Sequence, residues 1–261
     1  MSFGKDDPTY RGPGVGRSRK LVIEMDGTGD YIEIGNHSRF NFTNGVGDDQ
    51  PFSMSMWVQT ESLSDQGAFL SKNSGQGVPS NWLFYHDAGK IWAILYDGSG
   101  SNLNSIRIQS NASGLLNPGQ WHNVMFTYDG DQTEAGLNLY LDGQPVPSTR
   151  DNPQPYSGLT ATNSPVRIGA NAASGVGNEF EKYMTEAVIY GNEVTPAQAV
   201  EIYNNGRPLD MTQYSLAAGL VSWWRMGDGD TTGPNGIDDS VGIYNGELEG
   251  DAKIVAVRDL R

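Results

Sequence analysis

From Lys20 onward the chain is a succession of short runs that alternate apolar and polar residues and end on turn formers. These are KLVIEM (20–25), DYIEIG (30–35), PFSMSMWVQT (51–60), NWLFYHD (81–87), KIWAILY (90–96), WHNVMFTYD (121–129), LNLYLDG (137–143), PVRIG (165–169) and MTEAVIY (184–190). A period of two sends alternate side chains to opposite faces of a strand. Phe52, Met54, Met56 and Val58 therefore share one face, and Ser53, Ser55, Trp57 and Gln59 the other. A sheet that is apolar on one side needs a second sheet to cover it. Asp87-Ala-Gly-Lys90 and Asp142-Gly143 fall between adjacent runs and read as hairpin turns, which makes the pairing antiparallel. The 34 glycines and 13 prolines supply the remaining turns. The expected fold class is all-β: a two-sheet antiparallel sandwich with one short helix.

That helix is TPAQAVEIYNNG (195–206), where Thr195 is the N-cap, Pro196 lies in the first turn, Gln198 completes a capping box and Asn205-Gly206 is the stop. It is expected to plug an open end of the sandwich, with Val200 and Tyr203 pointing inward. Residues 216–261 hold further strand-like runs, and roughly 45 residues make a poor independent core, so they are expected to contribute C-terminal strands to the same sandwich. Residues 21–261 thus form a single expected domain.

Charge divides the chain unevenly. Residues 1–20 carry Lys5, Arg11, Arg17, Arg19 and Lys20 against Asp6 and Asp7, a net of +3, while the whole chain is −14, which leaves −17 for the rest. Residues 1–20 are expected to be an extended basic arm that docks on another chain. An acidic body disfavours nucleic acid as a partner, because phosphate binding needs a positive footprint. MSFGKDDPTYRGPG lacks an apolar secretory core, and no run approaches the ~18 apolar residues of a membrane span. Synthesis in a host cytoplasm without a signal peptide, and no membrane insertion, are expected. With no cysteine, disulfides and thiolate chemistry are excluded.

Four stretches, in order, resemble the laminin-G-like, concanavalin A-like jelly rolls found in lectins, pentraxins, modules of secreted enzymes and phage virion proteins. They are MDGTGDYIEIG (25–35), FSMSMWVQT (52–60), GQWHNVMFTYDG (119–130) with LNLYLDGQ (137–144), and EFEKYMTEAVIYGNEVTPAQAVEIYNNG (179–206). The resemblance implies a jelly-roll topology. The tail LVSWWRMGDGD resembles the opening strand and loop that precede MDGTGDYIEIG in such domains, and is similar to laminin-G-like proteins of tailed bacteriophages. A non-enzymatic virion surface protein is implied, of capsid decoration, cement or fibre type. Its partners would be other virion proteins and copies of itself, with contact to cell-surface glycans. A free carbohydrate-binding lectin module is the alternative, followed by a glycan-cleaving enzyme.

Glycosidases of this class need two carboxylates on one strand face, an even number of residues apart. Glu179 and Glu181 have that parity, but the run E-x-D-x-x-E is broken, since Glu186 falls on the opposite face from Glu181 and Thr185 stands at the family's usual aspartate. No catalytic residue is assigned. His37, His86 and His122 lack metal-ligand spacing, and His122 is expected to be a packed strand residue. Calcium is the expected cofactor, because hard cations take carboxylate and carbonyl oxygens. Asp26 and Asp30 flank a glycine-rich turn, the resemblance adds Glu186, and Asp228, Asp230, Asp238 and Asp239 form a second acidic pair of loops. Trp57, Trp82, Tyr85 and Trp92 are the candidate carbohydrate-binding platform, since sugar rings stack on exposed aromatic faces.

Overall fold

The structure, a computed structural model, describes residues 21–257 apart from 46–47, 63–65, 75–79, 99–103, 154, 172–177, 214, 216, 229 and 231–235. The basic arm at residues 1–20 lies outside the described residues. In chain order the strands are β1 (Leu21–Asp26), β2 (Tyr31–Gly35), β3 (Phe52–Thr60), β4 (Gly67–Lys72), β5 (Trp82–Asp87), β6 (Lys90–Tyr96), β7 (Ser105–Ser110), β8 (His122–Tyr128) and β9 (Leu137–Leu141). They continue with β10 (Gln144–Pro145), β11 (Ser148–Asp151), β12 (Val166–Ile168), β13 (Glu181–Tyr190), β14 (Leu220–Trp224), β15 (Gly236–Ile237), β16 (Gly246–Glu249) and β17 (Lys253–Ala256). The helix α1 spans Pro196–Tyr203.

Two antiparallel sheets result. One has eight strands in the order β10-β9-β8-β3-β13-β1-β17, with β14 also paired to β13; the other has nine, β11-β7-β6-β5-β4-β12-β2-β16-β15. This is the expected two-sheet jelly-roll sandwich. Both hairpin turns expected from the sequence are present: Ala88-Gly89 and Asp142-Gly143 have positive φ at both positions, as a tight turn between twisted strands requires. Phe52, Met54, Met56 and Val58 enter the core between the sheets, where they meet Phe69, Trp82, Phe84, Phe126 and Trp224.

Strand β13 organises the eight-stranded sheet. Glu181 to Met184 pair with β1 and Ala187 to Tyr190 with β14 along the same edge. The change of neighbour coincides with a bulge between Thr185 and Val188 in the pairing with β3, and Glu186 sits in it with φ 55°. Because β17 pairs with β1 and β16 with β2, the C-terminal strands complete both sheets.

The capping box of Thr195 and Gln198 forms as expected, but α1 does not plug an end. It lies over the outer face of the eight-stranded sheet, where Ala199 and Ile202 pack with Val194, Leu209 and Met211 on Met125, Tyr140, Val188, Tyr190 and Trp223. Val200 points away and is 49% exposed, which corrects the inward placement. Tyr203 does turn in, stacked on Trp57 with ring centroids 5.8 Å apart.

Candidate functional site

A polar cleft of about 260 Å³ opens where the ends of β1 and β13 meet the β16–β17 turn. Glu24, Asp26, Asp30, Glu61, Glu181, Lys182, Asp251 and Lys253 line it over Met25. The glycine-rich turn after β1 is shaped by its own carboxylates: Asp26 Oδ1 accepts Thr28 N–H at 2.8 Å, and Asp30 Oδ2 accepts Asp26 N–H at 2.9 Å. Asp30 Oδ1 reaches across the chain to accept Asp251 N–H at 2.8 Å. Gly250 permits that approach, since its φ is +73° and a Cβ there would stand 2.5 Å from Asp30 Oδ1. Carboxylate oxygens of Asp26, Asp30 and Asp251 lie within 4.8 Å of one another.

The electrostatics of the cleft are uneven. Burial pushes the Asp30 carboxyl above its usual value; two backbone N–H groups hold it back, and the neighbouring Asp251 carboxylate adds to the rise. Burial also works against ionised Glu24, but hydrogen bonds from Lys253 and Tyr183 outweigh it and bring that carboxyl below its usual value. Lys253 Nζ stands 3.2 Å from Glu24, and Lys182 pairs with Glu61. The two lysines are thus engaged at the rim, while Asp26, Asp30 and Asp251 face one another.

Glu186, expected with this group, does not join it. It lies beyond the bulge in β13, 2% exposed, and its Oε2 accepts Trp223 Nε1–H at 2.6 Å. Its place is taken by Asp251. In the second acidic pair of loops two carboxylates hold backbone and one an arginine: Asp239 accepts Trp223 N–H at 3.0 Å and Val241 N–H at 3.3 Å, Asp230 accepts Gly227 N–H at 2.7 Å and Asp238 N–H at 3.1 Å, and Asp228 pairs with the Arg225 side chain. His122 is a packed strand residue. Its Nε2 accepts Asn117 N–H at 3.2 Å, which leaves the proton on Nδ1 to donate to Asp142 Oδ2 at 2.8 Å.

The aromatic candidates separate into two pairs. Trp82 points into the core, 1% exposed, with its Nε1–H donated to Phe40 O at 2.9 Å, and Trp57, also 1% exposed, is covered by Tyr203. Neither offers a face to a ligand, so both leave the expected platform. Parity sends Tyr85 and Trp92 to the outer face of the nine-stranded sheet, where they lie opposite each other in the β5–β6 pairing with rings 6.0 Å apart at 21°. Trp92 is half-buried and Tyr85 nearly buried, among Ala68, Leu83, Ile94 and Tyr96. The Trp92 Nε1–H is shielded and has no acceptor among the described residues. Gln109 stands opposite Trp92 on β7, and Gln66, Asn171 and Asn178 line a shallow depression over Tyr85, Ala68 and Leu83.

Residues 26–200 match the family described as the concanavalin A-like lectin/glucanases superfamily. A Bacteroides ovatus structure provisionally assigned to carbohydrate binding superposes with a TM-score of 0.61 at 14% identity over 93% of this chain. The chain spans 61% of the length of that protein. The Ruminococcus gnavus IT-sialidase CBM40 bound to α2,3 sialyllactose superposes with a TM-score of 0.51 at 14% identity, over 72% of this chain and 98% of its own. Both likenesses are of fold. No curated protein sequence matches the chain.

Proposed function

Because the chain belongs to the concanavalin A-like lectin/glucanases superfamily, we propose that it is a non-enzymatic, lectin-like domain that binds carbohydrate on the outer face of its nine-stranded sheet. Trp92 carries this reading. Its half-buried indole lies on the outer face of the sheet beside Tyr85, and a sugar ring can stack its C–H face on the exposed part of that ring. The surrounding groups, Tyr85, Gln109 and the amides of Gln66, Asn171 and Asn178, have the mixture of apolar floor and few polar contacts that ligand sites use. The solved carbohydrate-binding structures of the same fold support it. Glycan-array screening followed by titration of the best binder is the test. Trp92→Ala is expected to weaken binding about tenfold, equivalent to ~1.4 kcal/mol. Wild-type affinity in that variant would remove the site from this face.

The non-enzymatic assignment rests on the separation of the carboxylates. Glu181 lines the cleft, whereas Glu186 is hydrogen-bonded beneath Trp223 on the other side of the bulge.

The cleft is proposed to hold calcium through Asp26, Asp30 and Asp251. The donors are all hard oxygens, and three carboxylates at this spacing repel one another until a cation joins them. The ion would stabilise the two turns that Asp30 ties together. Thermal unfolding with calcium at 100 times its dissociation constant should show ~2.7 kcal/mol of added stability over the chelated protein, and Asp251→Asn should abolish the difference. Identical midpoints with calcium and with chelator would remove the ion.

A virion surface is the proposed setting, with other virion proteins and copies of the chain as partners. The strongly acidic body and the likeness of LVSWWRMGDGD to phage laminin-G-like sequences support it. Mass spectrometry of purified particles tests this directly.

A further inference from the structure

The outer face of the eight-stranded sheet carries a row of side chains that the site around Trp92 does not use. In register across β3, β13, β1 and β17 stand Gln59, Tyr183, Glu24 and Lys253. Their neighbours along each strand, Val58, Met184, Ile23 and Ile254, go into the core, so the four face outward together. Lys253 is exposed and the other three are half-buried. Strands about 4.8 Å apart give the row a length of roughly 14 Å. Trp121 extends it past Gln59, with its ring 6.2 Å from that of Tyr183 and inclined by only 21°.

Each member of the row has a chemistry suited to sugars. Tyr183, half-buried, supplies a ring face for C–H stacking, and Trp121, 8% exposed, backs it from within the sheet surface. The Gln59 amide offers a donor and an acceptor, and its Nε2–H at present reaches Gly119 O at 3.0 Å. Glu24 accepts from Tyr183 Oη–H at 3.1 Å and stands 3.2 Å from Lys253, so hydroxyl groups would meet an acid and a base side by side. The charges are already balanced locally, Glu24 with Lys253 and Glu61 with Lys182. A charged ligand gains nothing there, and the carboxylates of the adjoining cleft repel an anionic one.

We propose that this row is a second carbohydrate-binding site, on the sheet opposite the first, for a neutral extended glycan. It rests on the reading of the domain as a carbohydrate binder and is independent of the position of the first site. A domain with ligand sites on opposite faces can bridge two glycan chains, so its apparent affinity for a polyvalent surface exceeds that of either site.

The test uses cellohexaose, xylohexaose and mannohexaose, titrated calorimetrically into the full chain, with 3′-sialyllactose as the anionic comparison. At least one hexasaccharide should bind, and Tyr183→Ala should weaken it about tenfold in the wild-type and equally in a Trp92→Ala background, as independent sites require. Tyr183→Phe, which keeps the ring, should lose much less, and thermal melts verify that each variant is folded. No binding of any hexasaccharide, or unchanged affinity in Tyr183→Ala, overturns the second site. Loss of all binding in Trp92→Ala with none in Tyr183→Ala leaves the first site standing alone; the reverse pattern leaves only the second.

Discussion

Asp49→Ala is expected to lose about 3 kcal/mol or more of stability, since a buried donor left without its acceptor costs about 1–3 kcal/mol and three donors lose theirs. Asp49 is 6% exposed, and its carboxylate gathers three donors from distant segments. Oδ2 accepts the phenols of Tyr128 at 2.6 Å and Tyr156 at 2.8 Å, and Oδ1 accepts Leu159 N–H at 2.6 Å. The Tyr128 oxygen in turn accepts Gln132 N–H at 2.8 Å. Burial pushes the Asp49 carboxyl above its usual value, while the three hydrogen bonds pull it back. Alanine removes the desolvation cost but strands two phenols and an amide at positions that water reaches poorly, and that second effect is larger. Asp49→Asn keeps the shape and one acceptor oxygen, so it should lose clearly less. Urea unfolding of the two variants decides the matter, and a loss below about 1 kcal/mol in Asp49→Ala contradicts the account.

Raising the pH from 8 to about 10 is expected to make the protein more stable, because of Lys72. This lysine is fully buried, and its Nζ donates to Asn36 Oδ1 at 3.0 Å, Thr162 O at 3.3 Å and Ser164 O at 2.5 Å. Neutral oxygens satisfy the ammonium without balancing its charge, and burial pulls its pKa down to about 8. The unfolded chain keeps that proton until about pH 10.4. Between the two values the unfolded state binds more protons than the folded one, so stability rises with pH, by ~3 kcal/mol over the full interval. At neutral pH both states are protonated and the whole cost of the buried charge is present. Tyrosine reverses the trend at higher pH. Burial raises the phenols of Tyr85, Tyr128, Tyr156 and Tyr190, so above about pH 10 the folded state holds more protons and loses stability. Urea midpoints should therefore pass through a maximum between about pH 9 and 10, and Lys72→Met should erase the rise while keeping the fall. A flat wild-type profile from pH 8 to 10 would sink this assignment.

Strands that alternate, such as β3, and strands bounded by tight turns, such as β5, β6 and β9, were legible in the sequence because both signals are local. Strand β4, Gly67–Lys72, was not: all six of its residues are buried, including a lysine, so no alternation marks it. The capping box placed the start of α1 to the residue, yet which face it buries depends on the sheet beneath. Trp57 shows the same limit, since parity assigns it correctly to the outer side of β3 and only Tyr203, far along the chain, determines that this side is covered. Asp26 and Asp30 could be singled out from one turn. Asp251 could not, because it joins them through a contact that spans almost the whole chain.

The placement of β1 between β13 and β17 has a kinetic consequence. Ile23 pairs with Met184 on one side and Ile254 on the other, so the first strand of the sandwich finds neither neighbour until most of the chain exists. During synthesis it emerges early and waits, with both edges unpaired and its apolar face uncovered. Such distant pairings also slow folding, because loop closure must precede the contacts that reward it. Yield in a heterologous host should therefore respond to chaperone supply and to temperature more than the stability of the finished sandwich suggests, with the unpaired strand as the segment that chaperones protect from aggregation.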